Sequence, residues 1–355
     1  MSLNKQSNSL TQEYIAGIME SFKQQRLPEP HLHLVKSVVF KGYRFRAIWN
    51  TLHYRPLYET FHEFIIYILK VTFGEEWRKE QMALPEDKRH ILIRWVKSYN
   101  EWKRATHNGE KKEGEHTYGA IPSGEVMALH SFAYDIYCLQ VVNKLPDFLI
   151  ERLKNRNEFQ GARYEVAVAA IIARAGYDIT FLDDKVKSQR HCDFIAKNKY
   201  SGEQIAVEAK SRRRKGVLHE KGDLDYSSVA RGDIQNLFKK AYSQKPENIP
   251  YFIFIDLNVM PTPDPETPPD KKSWFEDIKS LLDEYKIPSK ENPEPFNALV
   301  LTNFSYYYWG NAPITHLGEY NMIIPQFPEY PCKDMQAINE IWESLGRYAH
   351  IPNEV

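Results

Sequence analysis

The chain has 355 residues, 47 Lys+Arg against 47 Asp+Glu, an apolar share of 42% and a charged share of 26%, with a mean hydropathy of −0.56. That length suggests two domains of roughly 150 residues each, and the composition excludes a disordered or bilayer-embedded chain. The three cysteines form no CxxC pair, which excludes a disulfide framework and a cysteine-rich zinc site and fits a reducing cytoplasm. In chain order, the opening MSLNKQSNSLTQEY has no apolar signal region, and residues 1–150 are expected to be mainly helical. Thr11 to Gln24 carries Ile15, Ile18, Met19 and Phe22 at helical spacing, and Phe61–Phe73 and His90–Trp102 read the same way. Phe61–Phe73 is interrupted by His62, Glu63 and Lys70 and is shorter than the ~20 residues of a membrane span. After a polar break, Gly124–Val142 resumes with Val126, Leu129, Phe132 and Ile136 on one face. The tyrosines and tryptophans of this half are expected in the core.

The texture changes near Asn155. A small-residue helix, Gln160–Ala175, ends at Gly176, a residue suited to the position after a helix. Three short strands follow, Tyr177–Leu182, His191–Lys197 and Gln204–Lys210, the last two joined by a Ser201-Gly202 turn. A helix at about Val229–Gln244, a strand at Tyr251–Leu257, a helix at Ser273–Tyr285 and a strand at Asn297–Tyr307 complete the run, before a closing helix at Lys333–Tyr348. The order α-β-β-β-α-β-α-β predicts an α/β (α+β) fold with a mixed sheet flanked by helices. The expected divisions are 1–150, 151–332 and 333–355.

Chemistry concentrates on the strand Gln204–Lys210. Side chains alternate along a strand, so Ala206, Glu208 and Lys210 share one face. Ionised groups inside an apolar strand cost several kcal/mol unless they are paired or bind a metal. The neighbouring strand offers Asp193 in an equally apolar setting, and pairing of the two strands brings Asp193 and Glu208 together. Two carboxylates with a backbone carbonyl make an all-oxygen site suited to Mg²⁺ or Mn²⁺. Glu165, flanked by Tyr164 and Val166 on the small-residue helix, is a third candidate.

Glu165 on the helix, Asp193 after His191-Cys192, and Glu208-Ala209-Lys210 together resemble the PD-(D/E)XK nuclease superfamily. The resemblance covers about Asn155 to Trp309 and departs in one place, where Cys192 replaces the proline before the aspartate. It implies a restriction-endonuclease-like αβββαβ core behind a helical N-terminal region, and metal-dependent phosphodiester hydrolysis of nucleic acid, DNA before RNA. It assigns Asp193, Glu208 and the Ala209 carbonyl to the cation, Lys210 to the attacking water, and Glu165 to the catalytic set as an outer or second ligand. A homodimer, a protein partner on the helical region, and a role in restriction or anti-invader defence are compatible with it. The alternatives are a nucleic-acid-binding protein of this fold without turnover, and a partner-dependent scaffold.

Charge distribution supports a polyanion. Residues 185–245 hold fifteen Lys/Arg against seven Asp/Glu, whereas residues 256–294 hold five against ten. Arg212, Arg213, Arg214 and Lys215 follow Lys210 directly and, with Arg231 and Gln235 on the next helix, are the expected phosphate contacts. His31-x-His33 lacks partners at zinc-ligand spacing, and Cys192 beside His191 points to the opposite face of a strand, so neither makes a site. No P-loop, GxGxxG or GxSxG is present in the sequence.

Overall fold

The computed structural model describes residues 37–107, 120–182, 191–223, 231–262, 267–268, 271–272, 274–275, 278, 289–314 and 318–352. The helix expected at Thr11–Gln24, the His31 and His33 pair, and most of the helix expected at Ser273–Tyr285 lie outside these residues. The first described element was not anticipated. It is a three-stranded antiparallel sheet of β1 (Val38–Phe40), β2 (Tyr43–Ile48) and β3 (Thr51–Pro56), in that order. Lys41 and Gly42, both with positive φ, make the tight turn between the first two strands.

The helices follow: α1 (Phe61–Phe73), α2 (Glu75–Ala83), α3 (Ile91–His107), α4 (Gly124–Val141) and α5 (Asp147–Lys154). Thr60 and Glu63 form a reciprocal capping box that starts α1, and Gly74, at φ 82°, ends it. α4 is buried on every side from Gly124 to Leu139 and packs on α1, α3 and the next long helix.

That helix is α6 (Phe159–Arg174), and Gly176 at φ 86° lets the chain turn into the sheet. The second sheet runs β4 (Tyr177–Phe181), β5 (Phe194–Asn198), β6 (Gln204–Ser211), β7 (Tyr251–Asp256), β8 (Ala298–Asn303) and β9 (Glu319–Ile323), in that spatial order. The pairs β6–β7 and β7–β8 are parallel; the other three are antiparallel. β7 and β8 are buried along their whole length, as parallel strands covered on both faces must be. The strand expected to reach Tyr307 stops at Asn303, and Tyr306–Trp309 is a 3₁₀ turn against α4. The edge strand β9 was not anticipated. α7 (Arg231–Tyr242) lies between β6 and β7 in sequence, and α8 (Met335–Gly346), capped by Asp334, closes the fold.

Two cores cover the two faces of this sheet. Val207, Phe252, Phe254, Ala298 and Val300 pack with α6 in a buried cluster that continues through α4 and α1, across residue 150. Ala206, Ile253, Ile255 and Leu301 pack on the other face with Ile234, Phe238 and Ala241 of α7. Among the described residues no helix is long and apolar enough to cross a membrane.

A buried ion pair ties the first core together. Arg174 Nη1 donates to Asp135 Oδ1 at 2.9 Å, and the Tyr348 hydroxyl donates to Asp135 Oδ2 at 2.9 Å, joining α6, α4 and the segment after α8. Burial pushes the Asp135 carboxyl up to about 6 against the pull of Arg174. Removing one partner strands the other charge, so Arg174→Met should cost about 3–5 kcal/mol in urea unfolding; an unchanged midpoint would remove the pair from this role.

Two buried histidines set an acid limit. His90, whose Nδ1 accepts from the Leu92 amide at 3.3 Å, is pushed down to about 2 by burial, and His130 down to about 3. Both stay neutral when folded but gain a proton below about 6.5 when unfolded. Their contribution is therefore present above that pH and lost as pH falls, by up to about 2 kcal/mol each between pH 7 and 5. His90→Asn keeps a capping acceptor but no titration, and should flatten this part of the pH slope in denaturant melts.

Candidate active site

The carboxylates sit where a ladder ends. Backbone pairing of β5 with β6 runs from Lys197↔Gln204 to Phe194↔Val207. One step further, each carboxylate takes an amide of the opposite strand. The Asp193 amide donates to Glu208 Oε2 at 3.1 Å, and the Ala209 amide donates to Asp193 Oδ2 at 2.7 Å. The side chains thus replace main-chain acceptors and hold the two acids together. Glu208 is fully buried, and Lys210, two residues along the same face, sets its Nζ against Glu208 Oε1 while its side chain stays 21% exposed. Asp193, Glu208, Ala209 and Lys210 are therefore brought together as expected.

α7 completes the surroundings. Lys210, Asn236, Leu237, Lys239, Lys240, Ser243 and Gln244 line an open cleft of about 900 Å³. Gln244 Nε2 donates to the His191 carbonyl at 3.0 Å and fastens the end of this helical stretch to the chain entering β5. Lys239 and Lys240 were missed at the sequence level. Their signal was a Lys-Lys pair one helical turn beyond Gln235. Gln235 itself is half-buried and is not among the cleft-lining residues. Arg231 opens α7, and its side chain lies outside the described residues.

Glu165 stands apart from this pair. It is 4% exposed on α6, the helix packed against the opposite face of β6, and it accepts from Arg152 Nη1 of α5 at 2.7 Å. Among the described residues no three His, Cys, Asp or Glu side chains form a group able to hold a metal ion. The donor set is thus two carboxylates with the neighbouring backbone, which suits Mg²⁺, an ion that keeps several waters and takes one or two protein carboxylates.

The basic run divides by alternation. Arg212 is 3% exposed and Arg214 6%. Arg212 Nε donates to Asp233 Oδ2 at 2.7 Å, and Arg214 Nη1 donates to the Tyr308 hydroxyl at 3.3 Å. Neither is displayed as a phosphate contact, which corrects the sequence expectation for both, whereas Arg213 and Lys215 are exposed. The cause is a buried polar cluster beyond β6. The Arg212 carbonyl accepts from Gln160 Nε2 and from Asn258 Nδ2, and Ser211 Oγ and Arg163 Nη2 donate to Asp256 Oδ2 at 3.0 and 3.4 Å. Burial alternates along the run, with Arg212 and Arg214 inward and Arg213 and Lys215 outward.

Cys192 is no nucleophile. Burial and the adjacent Asp193 push its thiol up to about 12, and the His191 ring faces the Cys192 carbonyl rather than the sulfur.

The chain matches no protein-family model, no curated protein and no solved structure at a significant level.

The arginines supply a direct check. Arg212→Ala should lose about 1–3 kcal/mol of stability, whereas Arg213→Ala should stay within about 0.5 kcal/mol.

Proposed function

We propose that the chain is a metal-dependent nuclease that hydrolyses phosphodiester bonds, of DNA before RNA, with α6, β4, β5, β6, α7 and β7 forming a restriction-endonuclease-like core. The single observation that carries this is the crossed Asp193–Glu208 pair beside Lys210, which itself lines a cleft that also presents Lys239 and Lys240. A fully buried carboxylate needs a cation, and in the protein alone the Lys210 ammonium fills that place. Asp193, Glu208 and the Ala209 carbonyl would hold Mg²⁺ or Mn²⁺. Such an ion supplies a Lewis acid and a water of lowered pKa.

The side chains account for the rest. Lys210 reaches the cleft and carries the charge needed beside a phosphate that gains negative charge as the bond breaks. With the cation bound, its donors would be free to orient the attacking water. Lys239 and Lys240, together with exposed Arg213 and Lys215, offer positive charge to the backbone on either side. Arg212 and Arg214 support this surface from beneath, and Glu165 stiffens α6 through Arg152 rather than joining the reaction. A cytoplasmic role in defence against foreign nucleic acid follows only by analogy of fold.

Supercoiled and linear duplex, single-stranded DNA and RNA, each incubated with Mg²⁺, Mn²⁺ or EDTA, give the test. Metal-dependent cutting should vanish in Glu208→Gln. Lys210→Ala should lose cutting at least a hundredfold while its affinity for nucleic acid changes by no more than about threefold. Asp193→Asn should weaken Mn²⁺ binding in calorimetry. Wild-type rates in Lys210→Ala would sink the assignment.

A further inference from the structure

The sheet β1–β3 is built with its polarity reversed. Its inner face carries Arg44 opposite Arg55 and Arg46 opposite His53, and Arg46, His53 and Arg55 lie on the rings of α1. Arg46 is 1% exposed, with its guanidinium 4.4 Å from the Phe64 ring centroid and 5.4 Å from that of Phe61. Arg55 sits 4.6 Å from the Tyr67 ring centroid. The opposite face shows solvent Val38, Phe40, Tyr43, Phe45, Leu52 and Tyr54, of which Phe40, Leu52 and Tyr54 are each 58% exposed or more. Contiguous apolar surface of this kind marks an interaction site.

Two observations say what lies on it. Residues 37–59 contain four Lys/Arg and one acid, Glu59, which pairs with Arg55, so the segment behind the apolar face carries net positive charge. Lys41 Nζ stands 5.3 Å from the Phe40 ring centroid at one end. The rings of Phe45 and Tyr43 each lie 5.8 Å from that of Tyr54, tilted by 32° and set edge-on at 83°, giving a short aromatic row. The other end is the β2–β3 turn, where Trp49 is 60% exposed and holds φ 51°. A bulky side chain in this left-handed region is strained, and glycine would sit there without cost. Strain kept for an exposed indole points to use of the ring itself.

We propose that the outer face of β1–β3, with Trp49, is a stacking platform for the unpaired bases of single-stranded nucleic acid. Positive charge attracts the phosphates, and aromatic faces take bases that a duplex keeps stacked inside. The proposal deepens the nuclease reading and rests on it: it gives the substrate a single-stranded stretch, bound away from the carboxylate pair.

The experiment measures binding without turnover. Full-length protein in EDTA is titrated into fluorescein-labelled oligo-dT and into a duplex of equal length, by anisotropy, for wild type, Trp49→Gly and Tyr43→Ala/Tyr54→Ala. The wild type should prefer the single strand, and both variants should bind it roughly tenfold or more weakly, so that the preference collapses. Trp49→Gly should melt no lower than wild type, because relief of turn strain opposes any lost packing; this keeps the test clear of misfolding. Equal oligo-dT affinity in wild type and variants overturns the proposal. So does a concentration-dependent dimer, or binding to anionic lipid vesicles, that the variants lose while oligo-dT affinity stays the same, because either gives the face to another occupant. The nuclease reading fails separately, when Glu208→Gln cuts like wild type.

Discussion

What surrounds the site follows from one constraint: β6 must carry Glu208 and Lys210 inside a sheet covered on both faces. A fully buried carboxylate is tolerable only beside a cation and hydrogen-bond donors. The strand meets both needs locally. Lys210 comes two residues later on the same face, and the Asp193 amide is supplied by the antiparallel neighbour. The arrangement fixes register as well. A slip of one residue would turn Glu208 into the apolar core against α6 and Val207 out of it. The carboxylate pair and the hairpin that presents it therefore specify each other.

The end of β6 is fixed by a different device. Asp256 and Asn258, both fully buried, gather donors from Ser211, Arg163 and Tyr307, and the Arg212 carbonyl is held from two sides. Burial raises the Asp256 carboxyl even beside Arg163. Hydrogen bonds this closely connected rigidify the point where the chain leaves the sheet. The cluster fixes the end of β6, beyond which Arg212 and Arg214 lie inward and Arg213 and Lys215 on the solvent side.

Periodicity made most of the sheet and its helices legible. α1, α4 and α6 carry apolar residues at helical spacing, and β4 to β8 are short apolar runs bounded by turn residues. β1–β3 escaped because the usual rule runs backwards there: arginines occupy the inward positions, stabilised by rings of α1 that the local sequence does not contain. The pairing of Asp193 with Glu208 could be read from alternation and the Ser201-Gly202 turn. The placing of Glu165 could not, since α6 is buried on nearly every side and its neighbours do not reveal which face meets which element. The arginine run misled for a related reason. Four consecutive cations suggest a solvated loop, and only the long-range contacts with Asp233 and Tyr308 show that two of them belong inside.

The cluster that joins Phe61 and Phe64 to Val207 and Val300 has a consequence for how such a chain can change over time. α6 covers the sheet with one side and meets α4 with another, so neither half has a finished surface where they meet. Trading the helical half for an unrelated one would bare a dry, alanine-rich seam along α6. Novelty in this protein must therefore arise by substitution within loops and at the rim, at the turn holding Trp49 or along the lysines of α7, rather than by exchange of modules.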